Sequence, residues 1–318
     1  MRASHSQRTI THRLGLIGAN LEPSFGPALH EREAAELGLN CTYERIDIEE
    51  LGIVPERMGE LVRATNALGF RGVNVTHPCQ QLVVAHLDGL SADAAAVGAV
   101  DTVVFSEGQA VGHNTGCAGF RESFAAGLPD VAIDRVVLLG AGSTGGAVGH
   151  AALSLGAERL WVIDARHEQA ERLAHVLSRR HGRGRAVATD RLADQLTRAD
   201  GLIHATPTGM HGRPGTPFPP AFLDEQSWVA EVVYRPLETE LLRHARARGC
   251  RILDGGGMAV NQAALSFALL MQAEPARERM ARHFSALAGQ ETTFEVAARS
   301  MTGDRLIVAS VPPGSQRR

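Results

Sequence analysis

Residues 136–139 form a short, β-branched apolar run that breaks into Gly140-Ala141-Gly142-Ser143-Thr144-Gly145-Gly146-Ala147 and continues as a helical pattern, before a second apolar run ends in Val162-Ile163-Asp164. Few segments restrict a fold as tightly. Gly140 permits a tight turn out of the strand, and Gly142 lets the backbone approach a phosphate where a Cβ would stand in the way. Gly145 allows the helix to pack close to the strand. Ser143 and Thr144 open that helix, whose first N–H groups have no partner within it and favour an anion. Asp164 lies about twenty residues past the glycines, where a carboxylate accepts hydrogen bonds from ribose hydroxyls. Strand, glycines, helix, strand and acid in this order predict a dinucleotide-binding unit, a far stronger signal than the glycines alone.

A chain of 318 residues has room for two domains and a substantial core. Its formal charge of −3 gives no basis for attraction to nucleic acid or to an anionic membrane. No uncharged apolar run of about eighteen residues occurs outside the Gly-rich turn region, so no membrane-spanning helix is expected. Residues 1–12 are polar and basic and lack the apolar stretch of a secretion signal; they read as a flexible tail. Residues 299–318, with Pro312-Pro313-Gly314-Ser315, read likewise. Cys41, Cys79, Cys117 and Cys250 have no CxxC spacing, which fits a reducing cytoplasm and packing roles; no metal is expected.

Residues 14–18, 42–48, 72–76 and 100–105 read as strands, the last turning through Ser106-Glu107-Gly108-Gln109 into residues 110–114. Residues 27–37 and 55–68 read as helices, and the alternation predicts a mainly parallel sheet flanked by helices. Later strand runs fall at 160–164, 186–189, 201–205, 228–233 and 251–254. Gly255-Gly256-Gly257 then release the chain into an apolar helix over 263–271, expected to pack back on the first domain. The fold class is α/β. It comprises an N-terminal α/β substrate domain (13–115, completed by 258–295) and a Rossmann-like, doubly wound NAD(P)-binding domain (116–257).

Gly15-Leu16-Ile17-Gly18, Asn74-Val75-Thr76-His77-Pro78, Gly98-Ala99-Val100, Gly112-His113-Asn114-Thr115, Gly140-Ala141-Gly142, Thr206-Pro207-Thr208-Gly209-Met210, Val232-Val233-Tyr234-Arg235-Pro236 and Met258-Ala259-Val260-Asn261-Gln262 resemble, block by block and in order, the shikimate and quinate/shikimate dehydrogenases. The resemblance implies two α/β domains with the substrate in the cleft between them, against a nicotinamide. It implies substrate contacts from Ser24, Asn74, Thr76, Asp101, Tyr234 and Gln262. It implies cofactor contacts from Gly140, Gly142, Ser143, Thr144, Gly145, Asp164, Arg166, Thr206, Gly255 and Met258. Asp164 resembles the NAD-preferring branch more than the NADP-preferring enzymes, and Arg166 is the one residue placed to recruit a 2′-phosphate. NAD is therefore the expected cofactor. The expected partner is a small carboxylated cyclic substrate, with neither nucleic acid nor membrane; a homodimer is compatible with the sequence.

The departures are specific. The resemblance implies a lysine at position 80 and an aspartate at 116, which handle the hydroxyl proton during hydride transfer; the chain has Gln80 and Gly116. It implies an asparagine at 101, where the chain has Asp101, and a second hydroxyl at 26, where it has Gly26. A glutamine does not titrate, and proton handling of this kind is worth ~10²–10⁴ in rate. Asp101 is the candidate for a relocated acceptor or base toward an amino-substituted or otherwise different ring. The competing reading is that it hydrogen-bonds neighbouring backbone at a strand end. His77 and His113 read as structural histidines or neutral-pH proton acceptors. Cys79 and Cys117 each neighbour a substituted position and are expected near one another across the cleft. His204 stands where an asparagine is usual. The expected function is an NAD(H)-dependent oxidoreductase of this family acting on a carboxylated cyclic alcohol, ketone or amino analogue, and not an efficient ordinary shikimate dehydrogenase. The alternative is a non-catalytic NAD- or ligand-binding sensor or accessory protein.

Overall fold

Leu14 and Leu16 on one face of the first strand and Ile17 on the other are all buried, the pattern of a parallel strand covered on both sides. That strand, β1 (Thr11–Gly18), begins the described part of the computed structural model, which covers residues 11–21 and 24–301, the side chains of 290–301 excepted. It is followed by α1 (Gly26–Glu36), β2 (Asn40–Asp47), α2 (Met58–Ala67), β3 (Phe70–Val75), α3 (Cys79–Leu82), β4 (Gly89–Leu90), α4 (Ala92–Val97), β5 (Thr102–Ser106) and β6 (Gln109–His113). These strands form one six-stranded sheet in the order β2-β1-β3-β5-β6-β4. The predicted parallel sheet holds for β1, β2 and β3, but β5 runs antiparallel to both β3 and β6. The short turn after Ser106 accounts for the β5–β6 pair, because a hairpin reverses the chain without a crossover.

The helix α5 (Thr115–Gly127) leads into a second sheet. Its elements are β7 (Arg135–Leu139), α6 (Ser143–Ser154), β8 (Arg159–Ile163), α7 (His167–His181), β9 (Ala186–Ala188), α8 (Leu192–Leu196), β10 (Gly201–His204), β11 (Trp228–Glu231), α9 (Glu240–Ala247) and β12 (Arg251–Leu253). All pairs are parallel, in the order β12-β11-β10-β7-β8-β9. The strand order reverses between β7 and β10, and the crevice at their carboxyl ends is where such sheets bind ligands.

Two helices close the described chain, α10 (Gly255–Met271) and α11 (Arg277–Met301). The expectation of a helix beginning at 263 needs correction: the glycine triplet is its first turn. Asp254 caps it by accepting from the Gly256 N–H at 2.9 Å. Glycine is required there because a Cβ on Gly255 would fall 2.5 Å from the Val233 carbonyl oxygen. As expected, α10 packs back on the first sheet, where Phe267, Leu270 and Met271 join Leu14, Leu16 and Tyr43 in one core cluster. Burying Phe267 completely contributes roughly 2–3 kcal/mol of transfer free energy. Conversely, Phe120 and Phe124 of α5 sit in the second sheet's core, Phe124 edge-on to Trp228 with centroids 4.9 Å apart. The two helices touch backbone to backbone, since a Cβ on Gly119 would lie 2.8 Å from Gln262 N.

The flexible-tail reading is corrected at its inner edges. Thr11 and His12 pair with Asn40 and Cys41 in β1–β2, and residues 299–301 continue α11. Residues 1–10 and 302–318 lie outside the described residues. Among the described residues no helix is long and apolar enough to cross a membrane.

Candidate active site

The start of α5 carries a concentrated polar site. Asn114 caps it, accepting from the Cys117 N–H at 2.9 Å. The two preceding N–H groups, of Thr115 and Gly116, go instead to the Asp101 carboxylate, at 2.8 Å on Oδ1 and 2.7 Å on Oδ2. Oδ1 also accepts from the hydroxyls of Thr115 at 2.7 Å and Thr102 at 3.0 Å, and Oδ2 from Gln262 Nε2 at 3.4 Å. An anion on a helix N-terminus is favoured by the exposed N–H groups and by the dipole. Burial pushes the Asp101 carboxyl above its ordinary range, opposed by the bonds from Thr115, Gly116 and Thr102. The hydrogen-bond donors to this buried carboxylate are all neutral. The strand-end hydrogen-bonding reading of Asp101 therefore describes its contacts, while the long bond on Oδ2 is the one a ligand would displace most readily.

A second polar cluster adjoins it. Asn74 in β3 donates through Nδ2 to the Asp101 carbonyl at 3.1 Å, Thr102 Oγ1 at 3.0 Å and Ser266 Oγ at 2.7 Å. Its Oδ1 accepts from the Tyr43 hydroxyl at 2.6 Å. Behind Tyr43 lies His30, ring centroids 5.1 Å apart. Burial pushes His30 down to about 4, and its Nε2 is buried without a hydrogen-bond partner. Thr76 and Gln80 are half-buried after β3, and the Gln80 carbonyl accepts from the Val100 N–H at 2.9 Å. Ser24 Oγ accepts from Gly26 N at 3.3 Å. Tyr234 is half-buried among Phe25 and Phe284, at 6.1 and 5.9 Å between centroids. The structure thus gathers Asn74, Asp101, Gly116 and Gln262 directly, while the Ser24 hydroxyl turns to its own loop at Gly26. Tyr43, Thr102 and Ser266 are additions that no motif announced, and Thr115 of the 112–115 block gains a role that the resemblance did not imply for it.

The glycine turn follows its prediction. Gly140 adopts φ +112°, a conformation side chains disfavour. A Cβ on Gly145 would fall 2.1 Å from the Gly140 carbonyl oxygen, and one on Gly142 would enter open space at the head of α6. Ser143 is half-buried and Thr144 exposed on that first turn. Asp164 directly follows β8, with Oδ2 accepting from Ala141 N at 2.7 Å and Oδ1 from Arg166 N at 2.9 Å. It therefore braces the turn, and Arg166 is exposed beside it. This cradle, with the α6 N–H groups at its floor, fits a dinucleotide pyrophosphate. Thr206 stands across from Gly140, while Met258 reaches from α10 toward Gly116, its Cε 3.6 Å from where a Cβ there would be.

Cys79 packs in the core of the first sheet and Cys117 in that of the second, each fully buried, so they are not partners across a cleft. His77 is exposed, and burial pushes the half-buried His113 down. Among the described residues, one trio of metal-type donors converges: Asp93, Cys117 and His150, within 4.8 Å of one another. The Arg121 guanidinium, 3.7 Å from Asp93, already supplies positive charge there, and His150 Nδ1 is bonded to His181 Nε2 at 2.7 Å.

Comparison with known proteins agrees with this geometry. The model of the shikimate dehydrogenase substrate binding domain matches residues 16–103. The chain is 57% identical over 281 residues to the shikimate dehydrogenase (NADP(+)) of Streptomyces avermitilis, spanning 88% of this chain and 97% of that one. It is 42% identical over 277 residues to a quinate/shikimate dehydrogenase (NAD(+)) of Corynebacterium glutamicum, spanning 86% and 98%. The solved quinate dehydrogenase from Corynebacterium glutamicum in complex with NAD superposes with a TM-score of 0.82 at 41% identity, over 87% of this chain and 99% of that one. The chain belongs to the shikimate/quinate dehydrogenase family. Membership makes it an oxidoreductase, and the all-parallel second sheet is its Rossmann-like domain. In this chain the carboxylate at the head of α5 is that of Asp101.

Proposed function

We propose that this protein is an NAD-dependent oxidoreductase acting on a small carboxylated ring whose reacting edge carries an amino group. The observation that carries the reading is the Asp101 carboxylate, buried at the head of α5 among neutral donors, with Gln80 in place of a lysine and Gly116 leaving room beside it. A buried carboxylate without a cationic partner is costly, and a substrate ammonium would provide the missing counter-charge.

The dinucleotide, when bound, supplies the hydride acceptor. Gly140, Gly142, Gly145 and the first N–H groups of α6 would hold its pyrophosphate. Oxidation of a secondary alcohol releases a hydride from carbon and a proton from oxygen. Asp101, whose carboxyl is pushed above its ordinary range by burial, is the chain's own acceptor for that proton. Gln262, whose bond to Asp101 is the long one, orients a ring hydroxyl beside it, and Asn74 holds the Asp101 backbone in place from behind.

NAD rather than NADP follows from Asp164, whose carboxylate would repel a 2′-phosphate at the end of β8; the exposed Arg166 is the opposing influence. Titration with NADH and NADPH tests this, and tighter binding of NADPH would overturn it.

The substrate reading is tested by following NADH formation with shikimate, quinate and their amino-substituted analogues, for the parent and Asp101→Asn. Faster turnover of the amino compounds, lost in the variant, is expected. Faster turnover of shikimate or quinate, or an unaffected variant, would overturn it. Binding of NADH with no turnover of any ring acid would favour a ligand-binding role.

A further inference from the structure

His204 ends β10 and Glu231 ends β11 at paired positions of neighbouring parallel strands. Both side chains are wholly buried. The imidazole Nδ1 lies 2.9 Å from each carboxylate oxygen of Glu231. Glu231 also accepts from the Val233 N–H at 3.0 Å and from the Thr239 hydroxyl at 3.1 Å. Two donors, the Val233 N–H and the Thr239 hydroxyl, already point at this carboxylate, and Nδ1 of His204 is placed to be the third. On the other side of the ring, Nε2 lies 2.5 Å from Thr206 Oγ1. A ring that carries its single proton on Nδ1 accepts at Nε2 from the Thr206 hydroxyl, and this tautomer is part of the proposal below. The direction of this hydroxyl is thereby fixed from behind.

The Thr206 oxygen keeps its two lone pairs. One takes the Thr208 N–H at 3.3 Å. The other accepts from no donor among the described residues. Thr206 is half-buried, and its N lies 3.1 Å from where a Cβ on Gly140 would be, at the carboxyl ends of β7 and β10 where the strand order reverses. The oxygen is therefore set beside the dinucleotide crevice as an acceptor. An asparagine at 204, as the family resemblance implies, carries both a donor and an acceptor and would leave the direction of that hydroxyl open. An imidazole clamped by a carboxylate does not.

We propose that the buried His204–Glu231 pair is a positioning device that presents the Thr206 oxygen as an acceptor to the amide end of the dinucleotide, selecting a ring that bears a carboxamide N–H over one that lacks it. The inference rests on the dinucleotide-binding reading of this half.

Calorimetric titration with NADH and with reduced acetylpyridine adenine dinucleotide, whose methyl ketone replaces the carboxamide, tests it. The parent is expected to favour NADH by about three- to tenfold, the worth of one hydrogen bond. Thr206→Ser keeps that preference and Thr206→Val abolishes it. Glu231→Gln allows its amide to donate to Nδ1. The ring then carries its proton on Nε2, the Thr206 hydroxyl turns outward, and the preference for the carboxamide disappears. The imidazole nitrogen NMR shifts report the tautomer directly, and they change in Glu231→Gln but not in Thr206→Val. If Glu231→Gln does not fold, the two Thr206 variants still decide the matter. A parent that binds NADH without discrimination, or a Thr206→Val protein that retains it, would overturn the proposal. A parent that binds neither dinucleotide would overturn the dinucleotide reading and the proposal with it.

Discussion

Asp101 and Gly116 share one space: a Cβ on Gly116 would lie 3.1 Å from Asp101 Oδ2, the same atom that accepts the Gly116 N–H at 2.7 Å. A carboxylate from either position can sit on the head of α5, but not one from each. Restoring the family pair by Gln80→Lys with Gly116→Asp therefore sets two carboxylates against each other. Adding Asp101→Asn removes the conflict. The triple variant should oxidise shikimate or quinate on the order of 10²-fold faster than the parent, and the double variant should gain less. The rate of NADH formation measures it; equal rates for double and triple would show that the two positions do not compete.

Asp101 also gives stability a pH dependence of a particular sign. Its carboxyl is raised in the folded protein, burial outweighing the hydrogen bonds. Between the ordinary aspartate value and the raised one, the folded state holds more protons than the unfolded state. Stability therefore falls as pH rises through that window and is flat above it. Urea midpoints taken from acid to neutral pH should decline for the parent through this window. The decline should be absent in Asp101→Asn, and a decline of equal size in both would assign it elsewhere.

Gly145 tolerates no side chain, because the atom in its way is a carbonyl of the same turn, 2.1 Å from the added Cβ. Gly145→Ala should destabilise the protein by about 1–3 kcal/mol through overpacking. It should also weaken NADH binding by on the order of tenfold as the turn is pushed out of shape. Thermal melting and NADH titration read the two effects separately. Unchanged NADH affinity would mean that the turn does not hold the dinucleotide.

Glu33 of α1 is fully buried and is held by a two-point contact from Arg279 of α11, at 2.8 and 2.6 Å, with the Ala276 N–H at 2.7 Å. Removing the guanidinium leaves a buried carboxylate short of its counter-charge. Arg279→Ala should cost about 3–5 kcal/mol, and Glu33→Gln in the same background should recover part of it. Chemical denaturation of the four proteins in this cycle gives the answer.

The glycine turn was readable because each glycine answers a backbone demand: φ +112° at Gly140 and a carbonyl in contact with Gly145. The partners of Asp101 were not readable in the same way. Thr102 and Thr115 lie far apart in the chain and meet only because the β5–β6 hairpin returns residue 113 to residue 102. The triplet at 255–257 misled for the opposite reason. Three glycines suggest a break, and only the carbonyls of Val232 and Val233 pressed against Gly255 explain them as a helix start. His204 carried a signal that pattern reading can use: it and Glu231 both close apolar strand runs, so parallel pairing sets them side by side. What the chain could not announce was Thr206 in front of them.

The two long helices have a consequence for how such a chain can be inherited. α5 starts beside Asp101 in the first sheet and ends beneath Trp228 of the second, whereas α10 starts at the edge of the second and ends against the first, its Leu270 carbonyl held by Arg71 at 2.9 Å. Each half therefore contributes a helix to the other's core. A single crossover between two related genes, anywhere between residues 115 and 255, would set one parent's α5 against the other's α10 at the bare contact of Gly119 with Gln262. New substrate halves can be exchanged only when both helices travel together, so specificity in this architecture is expected to diverge by point changes such as those at 80, 101 and 116 rather than by shuffling.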